Sequence, residues 1–170
     1  MKNLVPAFTL VMFALGIASV PLLATKQSRT HMTVQVFEIV DCKTDEDPGL
    51  TLRGTEKRYC FAGKAIVDET QIESASVMHS EYDPKPGLRL KFKPEGASRL
   101  HETSARVSAR DEGPGQFGFV VNGKLVSVAI VRGAFGTDVV ISGAFGAEEC
   151  QHLATMLNAE AQQAKNKHQK

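Results

Sequence analysis

The run Gly113-Pro114-Gly115-Gln116-Phe117-Gly118 fits the GxGxxG pattern that cradles a dinucleotide pyrophosphate, and Gly118 to Lys124 fits the GxxxxGK pattern of a phosphate-binding loop. Neither has the surroundings its chemistry needs. The first pattern precedes a strand-like run instead of leaving a strand for a helix, so no helix N-terminus faces a pyrophosphate, and it contains a rigid proline. The second spans Phe119, Val120 and Val121 inside a strand-like run and puts Leu125 where a serine or threonine would hold magnesium. The five histidines, His31, His79, His101, His152 and His168, are far apart and none shares an HxxxH-type spacing with another ligand. They are expected to be solvated or hydrogen-bonded. Ser127 and Ser142 lack a nucleophile-elbow sequence, and Glu148-Glu149 is the acidic first turn of a helix. No catalytic, cofactor-binding or metal-ligating set emerges, so the expectation is a protein that is not an enzyme and carries no cofactor.

Cysteine chemistry is the exception. Cys42 and Cys60 flank the polar run KTDEDPGLTLRGTEKRY, and in an oxidising compartment they are placed to close that loop as a disulfide. Such a bond stabilises by ~3 kcal/mol through loop entropy. The alternative leaves all three cysteines unpaired. Cys150 falls in register with Leu153, Ala154 and Leu157 on one face of an amphipathic helix and is expected to be a buried free thiol.

Composition bounds the rest. The chain has 170 residues, 20 Lys plus Arg against 19 Asp plus Glu, and a formal net charge of +1. That is enough for one modest core, and it gives no electrostatic footprint for nucleic acid or an anionic membrane surface. Residues 1–24, MKNLVPAFTLVMFALGIASVPLLA, carry a single cation at Lys2 and no acid, the composition of a signal peptide or of an N-terminal membrane anchor. Gly16-Ile17-Ala18 is a better cleavage site than Leu22-Leu23-Ala24. Uncut, the run Leu4 to Ala24 reaches the ~20 apolar residues that cross a bilayer. Residues 25–31 are then a linker, 32–161 the folded domain and 162–170 a polar tail.

Within the domain, Met32 to Val40 alternates as a strand, and the stretch to Arg58 reads as loop around Asp47-Pro48-Gly49. Gln71 to His79 and Leu88 to Phe92 form a hairpin around Asp83-Pro84-Lys85-Pro86-Gly87. Pro94 opens a helix whose inward face is Ala97, Leu100, Ser104 and Val107, with Lys93 a poor N-cap. Asn122-Gly123 is the strongest hairpin signal, Asp138 to Ser142 makes another strand, and a last helix covers about Ala147 to Ala161. These elements predict an α+β fold of two layers, an antiparallel or mixed sheet with two helices packed on one face.

An Asn-Gly turn pairs Val121 with Lys124 and so fixes which residues share a face. Phe117, Phe119, Val126, Val128 and Ile130 fall on the core side. Gly118, Val120, Leu125, Ser127, Ala129 and Val131 fall on the other. Left uncovered, Val120, Leu125, Ser127, Ala129 and Val131 offer an apolar face for extended or unfolded polypeptide. Alternatively the N-terminal strand or the disulfide loop folds over them as a second small core.

Three stretches, LRLKFKPEGASRLHETSARV, FGFVVNGKLVSVAIV and VVISGAFGAEECQHLATML, follow one another in an order that resembles the head subdomain of the first periplasmic domain of the SecD translocase subunit. The matching positions are Pro94 to Ala97, Asn122 to Lys124 with Ser127, Ile141 to Gly143, Phe145, and Glu148 to Glu149. Ala129 stands where that family commonly has proline, Gly146 where it has a capping threonine or serine, and Cys150 where it has alanine. The resemblance implies a non-catalytic binding module that contacts exported or unfolded polypeptide or the translocation machinery, and the N-terminal segment implies export to the periplasm or cell envelope, with a tether to the inner membrane only if that segment stays uncut. With at most one membrane helix expected, the proton-driven motor of SecD is not expected in this chain. The alternative is a dedicated interaction protein for one fixed envelope partner, using the same fold without a role in export.

Overall fold

A computed structural model describes residues 31–44, 47–79, 81, 85–142 and 145–168. The expected signal or anchor over residues 1–24, and Asp83-Pro84 of the expected turn, lie outside the described residues. No helix among the described residues is long and apolar enough to cross a membrane.

β1 (Val34–Val40) alternates buried and half-buried side chains because both of its faces meet apolar surface. It pairs antiparallel with β7 (Gln116–Val121) along Val34 to Ile39, and β7 continues through the Asn122-Gly123 turn into β8 (Lys124–Ile130). Asn122 and Gly123 both have positive φ, 49° and 73°, as a two-residue type I′ turn demands. On its other side β1 pairs with β3 (Arg58–Phe61) at one end and β4 (Val67–Asp68) at the other. β2 (Gly49–Thr51) adds to β3.

The chain then leaves this sheet. A single 3-10 turn, Glu69–Gln71, is fixed by a reciprocal cap in which Asp68 accepts from Thr70 N–H and Gln71 Oε1 accepts from Asp68 N–H. It redirects the chain into a second, three-stranded sheet of β5 (Ile72–Met78), β6 (Gly87–Phe92) and β9 (Asp138–Ile141), in the order β5-β6-β9. The fold is α+β with antiparallel strands and two helices, as read from the pattern. The strands divide between two sheets where one was expected, because the capped turn at Asp68 ends pairing with β1.

α1 (Pro94–Ser108) buries Ala97, Leu100, Ser104 and Val107, the face its spacing predicts, and Lys93 supplies no side-chain cap. α2 (Ala147–His168) runs past the expected end at Ala161 into the stretch assigned as a polar tail. Alanine, glutamine and lysine in that stretch are good helix formers, and Gln162 Nε2 donates to Asn166 Oδ1 at 3.4 Å across one turn. The main core gathers Val34, Val36, Phe117 and Phe119 with Leu88, Leu90, Leu100, Val107, Leu153 and Leu157, so both sheets and both helices share it. Cys150 is a fully buried free thiol within it. Burial, and the neighbouring Glu149 charge, raise its pKa above the ordinary thiol range.

Candidate functional site

The residues expected to form one outward sheet face do not lie together. Lys124 pairs with Val121 and Leu125 with Val120, but Phe119 pairs with Ser127, so Val126 is an extra, bulged residue in β8. One inserted residue flips every following side chain. Ser127 and Ala129 therefore stand opposite Phe119 and Phe117 on the main-core side, and Val131 is buried there at 0% exposure. Val128 crosses to the other face, and Ile130, expected in the core, is 51% exposed. Of the five candidate residues only Val120 and Leu125 stay on the expected face, and they are 3% and 0% exposed.

What covers them is the disulfide loop. Leu52 bridges Leu125, and the Arg53 N–H donates to the Leu125 carbonyl at 2.9 Å, so β2 meets β8 and the first sheet curls round on itself. Inside the curl Val120, Leu125 and Tyr59 pack with Phe37, Ile39, Leu50, Leu52, Phe61 and Val128 as a second core. Gly118 lines it without a side chain: a Cβ there would stand 2.9 Å from Phe61 Cε1 and 3.0 Å from Leu125 Cδ1. Cys42 and Cys60 form the disulfide, with Cα atoms 5.3 Å apart, and tie the end of β1 to β3 at the rim of this core. The covering strand β2 falls in the stretch expected to be loop, since three residues carry too little pattern to register.

An open surface lies elsewhere. A cleft of about 520 Å³ runs between the first turns of α1 and the segment Phe135 to Thr137, with Pro94, Ala97 and Phe135 among its apolar lining and Glu73, Lys91, His101 and Glu102 among its polar lining. Its wall is held firmly. The Phe135 N–H donates to Ser104 Oγ at 2.7 Å, Ser104 Oγ donates to the His101 carbonyl at 3.0 Å, and His101 Nδ1 lies 2.9 Å from the Phe135 carbonyl. Phe135 also meets Phe117 edge-on, ring centres 5.4 Å apart. At the far end Lys91 Nζ pairs with Glu73 Oε2 at 3.1 Å.

A smaller polar cleft of about 260 Å³ adjoins it over the outer face of the three-stranded sheet, sharing Lys91 and Thr137 and adding Ser74, Ser76, Arg89 and Asp138. The pair thus presents an apolar slot that continues into a polar trough. Such a surface suits an apolar side chain with its flanking main chain. The sequence pattern leaves His101 among histidines that are solvated or hydrogen-bonded and carries no sign of Phe135, whose partners on α1 are distant in sequence. Among the described residues no three His, Cys, Asp or Glu side chains gather in a metal-binding arrangement.

The model of the SecDF P1 head subdomain matches residues 45–164. The protein translocase subunit SecD of Streptomyces coelicolor is 28% identical over 112 residues, covering 65% of this chain and 20% of its own length. A solved structure of SecDF, described as a membrane component that enhances protein export, superposes with a TM-score of 0.57 at 18% identity, over 76% of this chain and 63% of that one. SecDF in its super-membrane-facing form superposes with a TM-score of 0.58 at 18% identity, over 76% of this chain and 19% of that one. At that identity the structures show a shared fold. This chain spans about a fifth of the length of the curated SecD relative.

Proposed function

Because this chain belongs to the SecDF P1 head subdomain family, its match running through residues 45–164, we propose that it is a non-catalytic binding module for extended, unfolded segments of exported polypeptide. The observation that carries the reading is the cleft between α1 and Phe135, whose apolar lining and polar trough fit a chain that offers an apolar side chain and free main chain together. Two of its polar side chains are already engaged, Lys91 with Glu73 and His101 with the Phe135 carbonyl, which suits holding a ligand. The disulfide supports an oxidising compartment, and with the hydrophobic N-terminal run it supports placement in the cell envelope, on the periplasmic side.

In-cell photo-crosslinking tests this directly. A photoreactive residue at Ser98, which lines the cleft, is expected to give a ladder of many exported proteins, while one at buried Val120 gives none. One sharp product from Ser98 would instead identify a dedicated partner such as a translocase component. Silence from Ser98 would overturn the cleft as a binding site.

A further inference from the structure

The two edges of the three-stranded sheet are treated differently. At β5 the edge is closed: Asn158 of α2 places its carboxamide against Ala75, Nδ2 donating to the Ala75 carbonyl at 2.8 Å and Oδ1 accepting from the Ala75 N–H at 2.8 Å. A carboxamide that satisfies both groups of one residue does what a neighbouring strand would do there. At β9 no such cover exists among the described residues, and β9 pairs with β6 alone.

Which main-chain groups β9 leaves open follows from the ladder. In an antiparallel pair, residues that exchange hydrogen bonds alternate with residues that do not. The Phe92 N–H donates to the Thr137 carbonyl at 3.0 Å, and Lys91 to Leu88 stand opposite Asp138 to Ile141. Val139 and Ile141 therefore point their main-chain groups at β6, while Asp138 and Val140 point theirs away. The other edge agrees: Ala75, opposite Leu90, turns its groups outward to Asn158, so Leu90 turns its own toward Val139. Asp138 and Val140 thus offer two donors and two acceptors with no partner among the described residues, and the Val140 side chain beside them is 41% exposed.

We infer that β9 is a strand-addition edge, on which an extended segment of client polypeptide pairs with the outward main-chain groups of Asp138 and Val140. The inference rests on the polypeptide-binding reading of the cleft, and it supplies the means of holding clients of many sequences. Main-chain pairing is indifferent to side chains; Asp138 borders the polar trough, and the apolar cleft that continues from it past Thr137 accepts an apolar side chain. A second copy of this chain is the less suitable occupant. Pairing along a four-residue strand falls far short of the ~1,200 Å² of a stable dimer interface, and the other large exposed apolar side chains, Val40 and Ile130, belong to the other sheet.

The test uses the full chain and reduced, carboxymethylated α-lactalbumin as an unfolded probe. Val140→Pro deletes an outward N–H and leaves the β6 ladder bonds in place, a position at which an edge strand tolerates proline. It is expected to weaken probe binding about tenfold, whereas Val140→Thr, which keeps the N–H, binds as the parent does. Amide hydrogen exchange on the unsubstituted chain gives a readout independent of any folding defect. Asp138 and Val140 should exchange fast alone and slow with probe, while Val139 and Ile141 are slow in both. Probe binding and Ser98 crosslinking that survive Val140→Pro, with no new protection at Asp138 and Val140, overturn the edge and leave the cleft reading standing. Absence of probe binding to the parent chain overturns both, and protection that tracks self-association without probe replaces the client with a second copy.

Discussion

Glu38 occupies a position on β1 where the alternation of Val34 and Val36 calls for another apolar side chain, and it is nonetheless 7% exposed. It is tolerated because two cations converge on it, Arg106 in the last turn of α1 and Arg110 just beyond its end. Arg106 Nη2 lies 2.7 Å from Glu38 Oε2, and Arg110 reaches Oε1. Burial by itself raises the carboxyl pKa, but the hydrogen bonds and positive charges of Arg106 and Arg110 outweigh it and hold the group below the ordinary glutamate range. The sign of the pH effect follows. A carboxylate held low in the folded state contributes stability above its unfolded pKa of about 4.3, and that contribution is lost as pH falls through the lower folded value. Glu38→Gln removes the charge that both guanidiniums share and is expected to cost about 2 kcal/mol at neutral pH. Urea titrations of parent and variant should converge as the pH drops below 4; a gap that stays constant with pH would refute the linkage. Nothing local in the sequence announces this cluster, because the arginines lie 68 and 72 residues from Glu38.

At the scale of elements, the β7–β8 hairpin shows how a correct turn can be followed by an incorrect face. Asn122-Gly123 predicts the turn and the first two pairs, Val121 with Lys124 and Val120 with Leu125, and the structure has both. The bulge at Val126 then exchanges the faces of everything beyond it. Its consequence is measurable at two adjacent residues. Ile130→Ser, at a solvent-facing position, should change stability by less than about 0.5 kcal/mol. Val131→Ala, in the main core, should cost about 2 kcal/mol. Denaturant midpoints in the reverse order would mean the unbulged register. The legible parts of this fold are those written in local pattern: the inward stripe of α1, the β5–β6 hairpin and the Asn-Gly turn. A bulge is not so written, since Leu125, Val126, Ser127 and Val128 fit either register and the choice is made by contacts with Phe61, Tyr59 and the helices. The cleft is illegible for the same reason: it arises where Ser104 on α1 captures Phe135 from the segment between β8 and β9.

On the scale of the whole folded unit, two cores meet across one sheet. The main core holds both helices and both sheets, whereas the second is enclosed by the curl of β2 and β3 over Val120, Leu125 and Val128. The second core is small, and beyond the β1–β3 and β2–β3 ladders its cover is secured at few points. These are the Cys42–Cys60 bond, the Leu52–Leu125 contact with its Arg53 hydrogen bond, and the exposed Arg53–Glu149 pair at 2.7 Å. An exposed ion pair contributes under about 1 kcal/mol, so the disulfide is the strongest of the three. It closes a sequence separation of 18 residues, for which loop entropy gives a stabilisation of ~3 kcal/mol. Replacing Cys42 and Cys60 together by serine should lower stability by about that amount. The loss should also be uneven across the molecule, because the bond touches only the second core. Amide exchange is expected to accelerate at Val120, Leu125 and the β2–β3 strands by local opening, while Leu90 and Leu100 exchange only with global unfolding. Equal acceleration at both cores would show that they open as one cooperative unit and that the curl has no independent stability. Unequal acceleration would establish that this module carries the α1–Phe135 cleft on the more rigid of its two halves, since the cleft is built from α1, β6 and Phe135 against the main core.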